Sequence, residues 1–338
     1  DGGYAEGPNY FGALARRNYK ILKYYARARS IDLATLVPDN LRNTSDFAEV
    51  LASTTDADVI PIGDSVLHLD YSTLEAMVEL MPNSYWLTML NAKRRLDGKE
   101  PVPGVEPEPK AFISLPEMGI MASHRMLNGE SVKLFLMGNV ADADHAHEDK
   151  GSFVLEYGGE AFALDLGSAS YSDPIHRLYK QCQRHNMLVP IGTEERPAPP
   201  IANHHDVKPE GLGDERKFTA HIDARPGWET YYETWERTWN SPSPETLVIE
   251  DEYKLHRGTG VTFYWQTELR CRVEGRHVVI QGERGSATLT APSDCEVSVE
   301  ELALAEGKTQ NRIAFTRQGT EGTLRVEVVL TPHSEKNE

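Results

Sequence analysis

Apolar positions recur every three to four residues over the first hundred positions, and every second residue after about position 110. Over residues 9–36, Ala13, Leu14, Tyr19, Ile21, Leu22, Tyr25 and Ala26 are interleaved with Arg and Lys, and Pro38 closes the run, which predicts a helix. A second helix is predicted around 43–52, opening on the capping cluster Asn43-Thr44-Ser45-Asp46. Two more fit 71–81, closed by Pro82, and 84–96, closed by Gly98. The stretch from Asp97 to Pro109 is rich in Pro, Gly and Glu and reads as a linker.

Beyond it the period changes to 2. Strand-like runs fall at 112–115, 119–122, 132–136, 152–155, 161–164, 246–249, 261–265, 278–280, 286–289 and 324–328. Turn signals such as Tyr157-Gly158-Gly159 and Glu274-Gly275-Arg276 separate neighbouring runs. Many strands without intervening helices predict a large antiparallel β-sandwich. The expected fold is therefore α+β and multidomain: helices over 1–98, a linker over 99–110 and the sandwich over 111–338, with a cleft between them where ligands tend to bind.

Composition changes this picture little, and charge changes it more. The net charge of −17 argues against nucleic acid and anionic membrane surfaces as partners, although a locally basic cleft is compatible with it. No run approaches the roughly 18 apolar residues of a membrane span. Cys182, Cys271 and Cys295 are too few for a disulfide framework; Cys271 and Cys295 either pair or remain free thiols. The chain opens on Asp1 without an initiator Met, so a processed or truncated chain is expected.

The histidines carry the first chemical signal. In His145-Ala146-His147, residues i and i+2 of an extended segment point the same way, so both rings can face one site. Asp165 and His185 follow, and two His with one Asp are a common zinc set with a position left open. The alternative is a group of separately hydrogen-bonded histidines. Asn203-His204-His205-Asp206 reads as an exposed polar loop. Tyr4 and Tyr10 flank Glu6-Gly7-Pro8 ahead of a helix, and tyrosine can give or take a proton, while the same composition also suits a capping loop. Trp228, Tyr231, Tyr232, Trp235 and Trp239 form either a sugar-stacking surface or packing at a sandwich edge. Gly-Xaa-Ser-Xaa-Gly, P-loop and Gly-Xaa-Gly-Xaa-Xaa-Gly patterns are absent, against α/β-hydrolase, kinase and dinucleotide-binding classes.

The run His145-Ala-His147-Glu-Asp-Lys-Gly151-Ser-Phe153, with Asp165-Leu-Gly167, Tyr171-Ser-Asp-Pro174 and His185-Asn186, resembles the heparinase II/III-like polysaccharide lyases, which include heparin and oligoalginate lyases. Asp1-Gly-Gly-Tyr4-Ala-Glu6-Gly-Pro-Asn-Tyr10 resembles a loop of the same group. The resemblance covers most of the chain. It implies a partial (α/α) toroid followed by an antiparallel β-sandwich. It implies β-elimination at a uronic acid of an anionic polysaccharide or oligosaccharide: C5 proton abstraction, loss of O4 and a 4,5-unsaturated product. By motif, Tyr10 (with Tyr4 second) corresponds to the helical catalytic tyrosine, Tyr171 to the tyrosine acid or base, and His145 to the base or carboxylate partner. His147, Asp165 and His185 correspond to ligands of one structural zinc that fixes the loop of His145. Arg16, Arg17 and Arg125 are candidate contacts for carboxylate or sulfate, and Glu6 and Asn186 join them as substrate contacts. The family's helix bearing a catalytic Asn or His lies ahead of the Asp1 loop, so an N-terminal portion of the same enzyme, or another chain, is expected to complete the site. A homodimer and a periplasmic or secreted location fit the same reading. The alternatives are a uronate C5 epimerase and a non-catalytic glycan-binding protein with a structural metal.

Overall fold

The structure is a computed structural model and describes residues 1–198 and 204–333. Five helices precede the first strand: α1 (Pro8–Arg29), α2 (Asp39–Arg42), α3 (Thr44–Leu51), α4 (Tyr71–Leu80) and α5 (Tyr85–Leu96). Pro8 opens α1, where its missing N–H costs nothing, and Ser30 closes it in the left-handed conformation. The predicted helix over 9–36 therefore stops early, and Leu33–Leu36 forms a separate 3₁₀ turn. The segment after α5 has no regular structure but is strapped down: Asn91 Nδ2 donates to Val102 O at 3.0 Å, and Asn91 Oδ1 accepts from Val102 N at 2.7 Å.

Among the described residues the strands form three antiparallel sheets. The first is five-stranded, in chain order: β1 (Phe112–Leu115), β2 (Ile120–Leu127), β3 (Glu130–Met137), β4 (Phe153–Tyr157) and β5 (Glu160–Ala163). A short helix α6 (His176–Tyr179) follows. Then come β6 (Leu188–Ile191), β7 (Glu210–Gly213), β8 (Phe218–Asp223), β9 (Tyr232–Ser243), β10 (Thr246–Leu255) and β11 (Gly260–Thr267). The chain ends with β12 (Arg270–Glu274), β13 (His277–Gln281), β14 (Gly285–Thr290), β15 (Glu296–Ala303), β16 (Thr309–Gln318) and β17 (Glu321–Pro332). The eight-stranded sheet has the order β12-β13-β14-β17-β10-β9-β8-β7, and the four-stranded sheet β15-β16-β11-β6.

The five-stranded sheet is apolar on both faces. On β3, Val132, Leu134 and Leu136 face the core shared with the other two sheets, while Phe135 and Met137 face the helices. On the helical side they meet Phe11, Phe47, Met77 and Trp86. This double coverage explains why β4 is buried at every position. Trp228, Tyr232, Trp235 and Trp239 are all buried in the sandwich core, so they are packing residues and not a sugar-stacking surface. The three cysteines are free thiols. No helix among the described residues is long and apolar enough to cross a membrane.

Polar groups are also buried where the helices meet the sheet. Lys133 Nζ donates to Glu49 O at 2.9 Å and to Ala52 O, capping the C-terminal end of α3, where a cation is favoured. Beside it on β2, His124 is pushed down from its usual 6.5 to about 4, by burial first and then by Lys133. The unfolded chain then binds a proton that the folded chain refuses. Stability is fully present above about pH 6.5 and is lost as pH falls toward 4. His124→Gln is expected to remove an acid-limb loss on the order of 1–3 kcal/mol, read by urea unfolding at stepped pH.

Candidate active site and metal centre

Three loops converge at the seam between helices and sheets. The first, residues 60–70, carries Asp64. The second joins β3 to β4 and carries His145, His147 and Asp149. The third follows β5 and carries Asp165 and Tyr171. Backbone bonds clamp the first loop between the others: Asp64 N donates to His145 O at 3.0 Å, and Ser168 N to Ser65 O at 2.7 Å. Two glycines permit this approach. Gly63 has φ 56°, and a Cβ there would lie 2.5 Å from His145 O; Gly167 has φ 58°, and its Cβ would lie 2.2 Å from Ser65 O.

Asp64 is the hub. Its Oδ2 accepts from Lys180 Nζ (2.9 Å), Tyr171 Oη (3.0 Å) and His145 Nδ1 (3.1 Å), and its Oδ1 from His147 Nε2 (3.1 Å). Burial raises its carboxyl, but the bonds from His147, Lys180, His145 and Tyr171 outweigh that and hold it well below the ordinary carboxylate range. Tyr10, in the first turn of α1, places its hydroxyl 2.6 Å from that of Tyr171 and stacks its ring on His145, with centroids 4.0 Å apart. Tyr171 is 63% exposed, so this hydroxyl pair opens to solvent. Partial burial, Tyr10 and Asp64 all push the Tyr171 phenol upward, so it holds its proton in the resting site.

Behind this cluster lies a buried second group. One donor atom each from His147, Asp149 and His185 falls within 4.8 Å of the others. Among the described residues, His147 Nδ1 and His185 Nε2 are buried with no hydrogen-bond partner, while each ring's other nitrogen faces a carboxylate: Asp64 for His147, and Asp165 Oδ2, at 2.8 Å, for His185. Orphaned imidazole nitrogens are costly unless something accepts their lone pairs. Carboxylates behind the opposite nitrogens are the usual support of metal-bound histidines. The residues present fit a zinc-like ion.

The profile of the family described as "Heparinase II/III-like, C-terminal" matches residues 107–337. The chain belongs to this heparinase II/III-like family. Among solved structures, the heparinase III BT4657 gene product shares the fold with a TM-score of 0.73 at 15% identity, over 98% of this chain and 53% of that one. The heparan sulfate lyase HepC of Pedobacter heparinus does so with a TM-score of 0.70 at 16% identity, over 100% and 54%. This heparinase II/III-like chain thus spans about half the length of the structures it matches. No curated protein sequence is significantly similar to it.

The residues singled out by motif divide into two groups. Tyr10, His145 and Tyr171 meet in one cluster, and His147 and His185 in the other. The metal group differs from the expected set by one carboxylate. Asp165 is bonded to His185 Nδ1 and to Gly167 N, and Asp149 supplies the converging oxygen. Two residues expected to contact substrate lie in the interior. Arg125 is buried on β2 and donates to Ser241 O at 3.3 Å, on the sandwich side of the sheet. Asn186 is wholly buried and staples strands together, donating to Phe153 O (2.6 Å) and Leu164 O (3.1 Å). Arg16 is engaged by Asp70 and Thr73, Arg17 is exposed on α1, and Glu6 is half-buried. Tyr4 sits edge-on to Phe11 in the helical core. His204 pairs with Asp142 at 2.7 Å in an exposed loop, while Asn203 lies outside the described residues.

Sequence reasoning missed Asp64, Lys180 and Asp149. Asp149 lies two residues after His147, but the loop is not extended there: His145 has φ 60°, so alternation does not fix where these side chains point. Asp64 and Lys180 carry no local signal.

Zinc binding has a direct test. Adding zinc at about 100 times its Kd to metal-free protein is expected to stabilise the fold by about 2.7 kcal/mol, seen as a rise in Tm. His185→Ala is expected to abolish the rise, and Asp165→Ala to weaken zinc affinity about 10–100-fold. Equal Tm with and without zinc would refute the site.

Proposed function

We propose that this chain carries the sheet-side catalytic groups of a polysaccharide lyase that cleaves a uronate-containing anionic glycan by β-elimination. The observation that carries the reading is the exposed Tyr171 hydroxyl within reach of Tyr10, Asp64 and His145. A carboxylate accepts only, so His145 Nδ1 donates to Asp64 and leaves its Nε2 lone pair free as base. His145 Nε2 takes the C5 proton. The C–H electron pair becomes the C4–C5 double bond, and the C4–O4 bond breaks. The Tyr171 phenol protonates the departing O4, and Tyr10 shares that proton through the hydroxyl pair. Negative charge gathers on the substrate carboxylate during proton removal and needs neutralising donors.

His147, Asp149 and His185 would hold zinc, with Asp64 and Asp165 orienting the two rings. Bound there, zinc would supply a cross-link that stiffens the β3–β4 loop. A further helical portion, in the same enzyme or another chain, supplies the group that neutralises the carboxylate. A polymeric substrate favours a periplasmic or secreted location. The test is a screen of heparan-type, chondroitin-type and alginate glycans on the full-length protein for ultraviolet absorbance of an unsaturated uronate. C5 epimerisation without absorbance, or binding without turnover, would replace this reading.

A further inference from the structure

We propose that Asp64 is a positioning residue that sets the proton placement of two imidazoles at once, that of His145 in the cleft and that of His147 in the metal group. The activity part of this inference rests on the lyase reading above; its other parts do not.

The side chain of Asp64 is 1% exposed and has four donors around it. An ionised carboxylate has no hydrogen to give, so both rings that touch it must donate. His145 then carries hydrogen on Nδ1, and its Nε2 is left with a lone pair; its side chain is 34% exposed. His147 carries hydrogen on Nε2, and its Nδ1 lone pair faces His185 and Asp149. A buried carboxylate needs a counter-charge to remain ionised. Lys180 supplies it at 2.9 Å, and a third imidazole, that of His176, stands 3.7 Å from Oδ1. An amide at position 64 would point N–H at one of the two rings and force that ring to accept. If it is His145, Nε2 becomes protonated and can no longer take a proton; if it is His147, Nδ1 becomes protonated and can no longer bind metal. A single carboxylate therefore links the metal group to the catalytic cluster.

The test uses the zinc-loaded protein labelled with ¹⁵N-histidine at about pH 8, where an ordinary imidazole is neutral. Two-bond ¹H–¹⁵N correlations are expected to show His145 without hydrogen on Nε2 and His147 with its hydrogen on Nε2. A His145 ring protonated on Nε2 overturns the proposal, whether or not any glycan is turned over. In Asp64→Asn, zinc affinity is expected to fall about 10–100-fold if the amide N–H meets His147, and turnover about 100-fold or more, with KM little changed, if it meets His145. Lys180→Met, which strips the carboxylate of its counter-charge, is expected to lower one or both readouts, and Lys180→Arg to restore them. Asp64→Asn with unaltered zinc affinity and unaltered ring signals overturns the proposal. If Asp64→Asn does not fold, the unsubstituted protein's spectrum decides. Absence of unsaturated product from the unsubstituted protein defeats the lyase reading and leaves the ring and zinc measurements to decide this one.

Discussion

Tyr171→Phe is expected to lower the turnover of glycan elimination by about 10²–10⁴-fold, the usual contribution of a positioned proton donor. The change removes one oxygen from a side chain that is 63% exposed, so folding stability should move by only about 0.5 kcal/mol. The lost hydroxyl is the group shared by Tyr10, Asp64 and His145. Its phenol is raised above the usual range, so it is protonated in the resting site, and its loss leaves O4 to depart as an alkoxide. KM should change little, because the proton is transferred only as the bond breaks. Tyr4→Phe is the matching control. Its ring packs on Phe11 in the helical core, so turnover should stay near that of the unsubstituted protein. Equal losses in the two variants would mean that the wrong hydroxyl has been assigned.

The largest effect on stability is expected at Arg237, on β9. This side chain is wholly buried in the sandwich core. Its Nε and Nη2 reach the two oxygens of Asp251 at 2.7 and 2.9 Å, and Nη1 reaches Gly151 O at 2.7 Å and Asn186 O at 2.8 Å. The rings of Trp235, Trp239 and Phe263 surround the guanidinium. Arg237→Met leaves Asp251 charged, buried and served only by Trp235 Nε1 among side-chain donors in the described residues. The expected loss is about 3–5 kcal/mol, measured by urea unfolding. Gly151 ends the metal loop and Asn186 follows His185, so zinc affinity should fall as well. Combining Arg237→Met with Asp251→Leu removes both charges, and the double variant should be more stable than Arg237→Met alone. A single-variant loss below about 1 kcal/mol would show that the pair relaxes into water.

The helices were readable because their apolar period survives tertiary packing: α3, α4 and α5 fall within a residue or two of the predicted spans. Strand β9 was missed although its pattern is regular. Tyr232, Trp235, Arg237 and Trp239 point inward and Glu233, Glu236 and Thr238 outward, and the buried Arg237 disguises the alternation. Strands β15 and β16 were missed because Glu, Arg and Gln lie along them; β15 is an edge strand, exposed at most positions. His145, His147 and His185 were legible because their spacing is chemical. Asp64 was not, since its partners lie 81 to 116 residues away in the chain. Only the closing of three loops makes that carboxylate a hub.

The five-stranded sheet has one further consequence. Phe135 belongs to the helical core and Leu134 and Leu136 to the sandwich core, so a single strand is a wall common to two rooms. Neither room can be emptied while the other stays furnished, because melting either side strips apolar cover from the same backbone. The two halves of the chain are therefore expected to melt together despite their different architectures, as one calorimetric peak, and Tyr10, held from the helical side, stays in register with Tyr171 for as long as that wall stands.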